Sequence, residues 1–174
     1  AQEALKKHRC ILVDLLGSGY SDKPDDFTYT VNDHAEYLAD FVTSIGLQSF
    51  VLFGHSLGGA IALSLATKCR AQIDRIILSE ANLDKSSMGS TSKYIADFDM
   101  QDFQENGFSK LVQESRTNGN QMWAAALSSW SPTAAYLISK SAAEGEEPSW
   151  RELLYSLDCP KTFIFGENSL PDPD

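Results

Sequence analysis

The amino-acid sequence predicts an α/β protein, a mainly parallel sheet with flanking helices and a helical insertion. Three observations carry this expectation. Short β-branched and aromatic runs alternate with longer segments of helical periodicity. The runs are apolar from end to end, as in parallel strands covered on both faces. The alternation then lapses for about 80 residues before the last run, far longer than an ordinary connection in such a fold.

Taken in order, CILVDLL at 10–16 is expected to be the first strand, and DLLGSGYSDKP at 14–24 turns the chain away from it. In VNDHAEYLADFVTSIGL, Ala35, Leu38, Phe41, Val42 and Ile45 recur at helical spacing, with Thr30 as N-cap and Gly46 as the stop. SFVLF at 49–53 is the second strand, the Ala- and Leu-rich 57–70 the next helix, and RIILS at 75–79 the third strand. Strand, helix, strand in this order implies parallel neighbours joined by right-handed crossovers. KSSMGSTSK then reads as a loop. YIADFDMQDFQENGFSKLVQES and QMWAAALSSWSPTAAYLISKSA read as helical, the latter around Pro132, and AEGEEPS is a polar return to the last strand, KTFIF at 161–165. The expected division is an α/β core of 1–82 and 148–174 and a helical cap of 83–147.

A net charge of -10 and a pI near 4.6 exclude nucleic acid and anionic membrane surfaces as natural partners, since both would repel such a field. A small, partly apolar molecule fits better. No apolar run approaches the length of a membrane span. The three cysteines, Cys10, Cys69 and Cys159, are odd in number and scattered, which predicts reduced thiols, a cytoplasmic protein and no metal site. No cofactor is expected.

FGHSLGGA at 53–60 places a serine where a strand meets a helix. Gly-x-Ser-x-Gly in that context forces a tight bend with the Ser56 oxygen exposed; Gly54 and Gly58 are expected to avoid clashes, with Gly59 in the same turn. The helix N-terminus favours negative charge developing beside the serine, and the Leu57 N–H is the expected oxyanion donor. Gly17 and Gly19 lack the third glycine of a dinucleotide fingerprint and lead into a Pro/Asp turn, so they read as a structural turn. His55 is expected to support the bend, and His34 and His8 to be solvated or capping.

Here the chain resembles the α/β-hydrolase superfamily. DLLGSGYSDKP is similar to its Asp-x-x-Gly-x-Gly-x-Ser segment, with Asp14, Gly17 and Gly19 in matching places, and the insertion sits where the family carries its cap. The resemblance implies Ser56 as nucleophile, followed in chain order by an acid and a histidine. No histidine follows Ser56. The resemblance therefore implies a fragment without the family's first strands, upstream oxyanion loop and C-terminal histidine, inactive by itself.

The family's commonest acid position corresponds to Ser169. A second arrangement, that of the haloalkane dehalogenase branch, puts a carboxylate just after the preceding strand, and here that residue is Glu80; Asp172 is the alternative. Those dehalogenases use Asp at the bend, so Ser56 implies acyl chemistry instead. Trp123, Trp130 and Met122 are candidates for an apolar substrate pocket under the cap. The implied activity is hydrolysis of carboxylic esters or related small acyl substrates. The alternatives are carbon–carbon bond hydrolysis or perhydrolysis at the same site, or a noncatalytic ligand-binding module.

Overall fold

The computed structural model describes residues 2–86, 88 and 90–167. A short α1 (Gln2–Leu5) precedes α2 (Val31–Ser44), β1 (Phe50–His55), α3 (Leu57–Lys68) and β2 (Ile73–Ser79). Then come α4 (Thr91–Ala96), α5 (Met100–Asp102), a π-helical turn (Phe103–Gly107) running into α6 (Phe108–Thr117), α7 (Gln121–Leu127), α8 (Pro132–Glu144), α9 (Trp150–Ser156) and β3 (Lys161–Ile164). The strands pair in the order β1-β2-β3, all parallel. His55 lies opposite Ser79, and Ser79 opposite Ile164, so the three strands finish side by side.

The helices start and stop where local chemistry dictates. Thr30 accepts a hydrogen bond from Asp33 N to open α2, and Gly46, at φ +65°, follows its end. Ser131 caps α8 with Pro132 at its first position, where the missing N–H costs nothing. Helix α9 is an element beyond those expected from the sequence. Its signal was present, because Ser149 and Glu152 form a capping box in which each side chain accepts from the other's backbone N–H.

Two strand expectations are corrected. The segment expected as the first strand has no regular structure over 10–15 and pairs with no strand, and Ile11, Leu12 and Val13 are 40, 90 and 47% exposed. Among the described residues no strand lies beside it, and without a neighbour the backbone N–H and C=O groups form no ladder. Burial on both faces holds for neither: in β2 Ile76 and Leu78 bury one face while Arg75, on the other, is exposed and Ile77 and Ser79 are half-buried, and in β1 Val51 and Phe53 are 54 and 60% exposed. One face of β1 is uncovered among the described residues.

The main core gathers α3 against β2, α2, α9 and the inner face of α8. Ala60 to Ala66 are all buried, which is why this helix is apolar on every side. A second cluster, built on Ile95, Phe103, Val112, Leu127 and Tyr136, holds 91–136 together. Helix α8 joins the two: Ile138 and Ala142 belong to the main core, Ala135 and Tyr136 to the second cluster, and Ala134 packs with Leu16 and Tyr29.

The bend after β1 separates its glycines sharply. A Cβ on Gly54 would lie 2.6 Å from Gly58 O and 2.8 Å from Ala62 Cβ, and one on Gly59 would lie 2.3 Å from Ala81 Cβ. On Gly58 a Cβ would meet nothing, so the expected clash belongs to Gly59 and not Gly58. The Gly59→Ala variant is expected to lose about 1–3 kcal/mol through overpacking. Gly58→Ala, inside a helix, should be neutral or gain up to about 1 kcal/mol. Thermal unfolding of both variants checks the pair; equal losses would remove the Ala81 contact as the cause.

Candidate active site

Ser56 stands between the last residue of β1 and the first of α3 with φ 51° and ψ -125°, a conformation that L-residues other than glycine adopt only under constraint. The constraint comes from β2 and its continuation. Ser56 N donates to Ser79 O at 2.9 Å, and Ser56 O accepts from Asn82 N at 3.1 Å and Gly59 N at 2.9 Å. With Gly59 pressed on Ala81, the backbone of 79–82 grips the bend from one side. Ser56 is exposed. Leu57 N–H opens the first turn of α3, where backbone donors have no partner within the helix, so it is placed to meet a developing negative charge.

Glu80 is the residue within that grip. It too has a positive φ, 49°, and its N–H donates to Ile164 O at 3.0 Å. Its Oε1 accepts from Gly166 N, so backbone and side chain both bind the end of β3. A carboxylate accepts more bonds than one, which leaves Oε2 with capacity for a further donor. The structure thus brings Ser56 and Glu80 to the same end of adjacent strands. Ser169 and the alternative acid, Asp172, lie outside the described residues.

None of the three histidines stands as a base for Ser56. His55 is exposed, and its Nδ1 lies 3.2 Å from Ser79 Oγ, bridging β1 to β2. His8 is exposed near the N-terminus. His34 corrects the expectation of a solvated side chain, being 1% exposed, with Nδ1 2.8 Å from Thr30 O and Nε2 3.2 Å from Leu16 O. A helix-face position, one residue before Ala35, was the signal for its burial.

The turn after 10–14 is held by its own backbone and by the Asp14 carboxylate. Asp14 Oδ2 accepts from Tyr20 N at 3.0 Å, Gly17 N donates to Asp22 O at 2.8 Å, and Gly19 at φ +54° lets the chain close over the Asp14 carboxylate. The turn also reaches the insertion: Ser131 N donates to Gly17 O at 2.7 Å, Gly19 N to Ser129 Oγ at 3.3 Å, and Lys23 Nζ to Ser129 O at 2.8 Å.

This combination of a strained serine at a strand–helix bend and an Asp-x-x-Gly-x-Gly turn agrees with the comparison by family. A family model described as alpha/beta hydrolase fold matches residues 1–165. The chain belongs to the α/β hydrolase fold family. Within it, the chain is 31% identical over 72 residues to "Haloalkane dehalogenase 2" of Mycobacterium tuberculosis, covering 41% of this chain and 25% of that protein. It is 40% identical over 79 residues to "Probable lysophospholipase BODYGUARD 2" of Arabidopsis thaliana, covering 45% of this chain and 17% of that protein. The matched stretches thus span a quarter or less of these relatives. Among solved structures, a thermophilic esterase from Thermogutta terrifontis superposes with a TM-score of 0.74 at 24% identity, over 95% of this chain and 64% of the esterase, a likeness of fold.

In this α/β hydrolase the three residues expected to line a substrate pocket have different surroundings. Met122 is 88% exposed, Trp123 and Trp130 both pack against the second cluster, and Trp130 is half-buried where the clusters meet. A cavity of about 630 Å³ lies between the start of α2, α3, α8 and the 144–148 return, and Ser56 is not among its lining residues. It is lined by polar groups including Ser64, Thr67, Lys140, Glu144 and Glu146. No helix of the described residues is long and apolar enough to cross a membrane, and no group of three acidic, His or Cys side chains among them could hold a metal ion.

Burial pushes the Glu146 carboxyl up, against the opposing pull of the Trp150 indole, the Asn32 backbone, Lys68 and Ser64. Trp150 Nε1 and Ser64 Oγ face this environment without a full hydrogen-bond geometry to any partner. A carboxyl raised on folding costs nothing when protonated in both states and destabilises once the pH rises past its ordinary range. Glu146→Gln is therefore expected to melt at a higher temperature than wild type above about pH 6, the gap closing below about pH 4. Melting curves across that range decide it; a lower melting temperature for the variant at pH 8 would contradict the burial argument.

Proposed function

We propose that the protein is a serine hydrolase acting on carboxylic esters or related small acyl substrates, with Ser56 as nucleophile, Glu80 as the acid and a histidine other than His8, His34 and His55 as base. The observation that carries this reading is the strained backbone at Ser56, matched by a second strained residue, Glu80, at the end of the neighbouring strand. Two non-glycine residues at positive φ side by side are costly to maintain and cluster at functional sites.

In this reading the histidine removes the Ser56 proton as Oγ attacks the acyl carbon, and the oxyanion that forms is held by the Leu57 N–H at the positive end of α3. The histidine then passes its proton to the leaving alkoxide as the tetrahedral intermediate collapses to an acyl-serine. Water, deprotonated by the same histidine, attacks the acyl-serine, releasing the acid and restoring the Ser56 hydroxyl. Glu80 Oε2 accepts from the histidine, fixes its tautomer and stabilises its charge, while Oε1 stays anchored on Gly166 N. No cofactor enters these steps. The helices of 91–144 act as the cap, and Trp123, Trp130 and Met122 supply apolar surface when substrate is enclosed. The three cysteines are unpaired, which suits a reducing, cytoplasmic setting.

The test is covalent. A fluorophosphonate should label the complete protein on Ser56, located by mass spectrometry of the tryptic peptides. A folded complete protein that takes up no label would overturn the reading.

A further inference from the structure

We propose that the cavity between α2, α3, α8 and the 144–148 return is a binding site for a small neutral polyol of the carbohydrate class, seated on Ser64, Glu146 and Trp150. Its volume of about 630 Å³ suits a small molecule, and Ser56 is not among the residues that line it. Ser64 lies about 12 Å from Ser56 along the axis of α3, so the two serines serve different places.

Ser64 is the residue that points to a ligand. It is the one polar side chain in the buried run Ala60–Ala66, it is 2% exposed, and it lines the cavity. A buried helical serine ordinarily donates to a carbonyl three or four residues back. Thr67 does this, its Oγ1 donating to Ser64 O at 2.8 Å, but Ser64 Oγ itself has no hydrogen-bond partner. Trp150, fully buried on α9, shares the condition, since its Nε1 has no partner either. Both donors bear on the carboxyl of Glu146, another wall residue, without reaching hydrogen-bond geometry with it. Two unsatisfied buried donors around one half-buried carboxyl are costly to fold. A group that accepts from the donors and donates to the carboxyl removes that cost.

The chemistry of the wall selects the ligand. Its other hydroxyls are already engaged: those of Thr28 and Thr30 donate to the Asp33 carboxylate, and Ser141 Oγ accepts from Val31 N. Trp150 Nε1 only donates and an ionised Glu146 only accepts, so one ligand atom meeting both must accept and donate, as a hydroxyl does. A hydroxyl pairs with the carboxyl in either protonation state, so the assignment does not depend on its titration. An ammonium brings donors alone and would leave the indole without an acceptor. An anion would satisfy the indole but meets Glu144, Glu146 and Glu147 together, against Lys140 alone among the lining residues. A second hydroxyl, on a neighbouring carbon, pairs with Ser64 Oγ, and Leu137 and Leu153 offer apolar surface to the ligand's C–H groups.

The experiment uses the complete protein labelled with nitrogen-15 and follows the Trp150 indole N–H during titration with glycerol, D-glucose, myo-inositol and sucrose. At least one of the four is expected to shift this resonance saturably, with half-saturation at about 10 mM or below, while the indoles of Trp123 and Trp130 show no saturable shift. Ser64→Ala puts a stronger helix former inside α3 and so keeps the fold; it is expected to weaken that binding by about fivefold to tenfold. Glu146→Ala is expected to weaken it by about tenfold or more. No saturable shift with any of the four overturns the proposal, water alone then meeting the two donors. Saturation by putrescine or inorganic phosphate in place of the polyols overturns it on chemical class. A saturable shift that neither substitution weakens overturns it on location, and if Glu146→Ala fails to fold, Ser64→Ala alone decides. None of these readouts needs enzymatic activity, so a protein that hydrolyses nothing would refute the functional reading while leaving this one standing.

Discussion

Replacing Ser56 with alanine in the complete protein is expected to abolish fluorophosphonate labelling and to lower kcat for ester hydrolysis by about 10³–10⁶-fold, with little change in KM. The asymmetry follows from the proposed mechanism, in which the hydroxyl forms the covalent bond and the groups that bind substrate lie elsewhere. Stability provides a second, independent signature. Ser56 sits at φ 51°, where alanine is as strained as serine, so Ser56→Ala should melt close to wild type. Glycine is not strained there. Ser56→Gly is therefore expected to be equally inactive but more stable, by about 1–2 kcal/mol. Finding Ser56→Gly less stable than Ser56→Ala would show that the backbone is not under the tension argued for it. A Ser56→Ala protein retaining a tenth of the activity would remove the serine from the reaction.

Glu80→Gln is the second large effect, with an expected loss in kcat of about 10³–10⁴-fold and a fold left intact. The amide is the same size and its oxygen can still accept from Gly166 N, so the link between the ends of β2 and β3 survives. What disappears is the negative charge that, in the proposed mechanism, stabilises the histidine when it carries the serine's proton. Glu80→Ala, by contrast, should lose both the activity and the Gly166 anchor, and so cost stability as well. Comparing the two variants separates the chemical role from the structural one. Full activity in Glu80→Gln would end the assignment and pass the role to Asp172, whose Asn variant should otherwise lose only a few-fold.

Glu80 also shows how far a linear reading reaches. Its position just past an apolar run marked it as a candidate, but a strand-end carboxylate bound to nearby backbone was an equally good account. The structure finds that bond and adds something the sequence does not carry, the positive φ that sets Glu80 beside Ser56. The glycines of the bend behave in the same way. Gly-x-Ser-x-Gly-Gly announced a tight turn, yet which glycine meets a wall depended on Ala81, 22 residues beyond Gly59 in the chain and reached only through the β1–β2 pairing.

The sequence by itself determined the α/β class, the parallel order of 49–79, the cap and stop of α2, the helical character of 94–115 and 121–142 and the bend that holds Ser56, though not the break at 128–131 that divides α7 from α8. All of these rest on local chemistry: apolar periodicity, a capping hydroxyl, a glycine at a turn. Tertiary structure alone decided the rest. Whether 10–14 forms a strand depends on a neighbour to bond with, and whether β1 is covered depends on what packs over Val51 and Phe53. His34 is the sharpest case, since the sequence reading leaves it between a solvated and a capping residue. Its burial arises because Leu16, 18 residues upstream, offers a carbonyl to the other side of the ring. A local pattern can specify a residue's own backbone and its face, but an acceptor brought in by the fold exists only once the chain has closed around it.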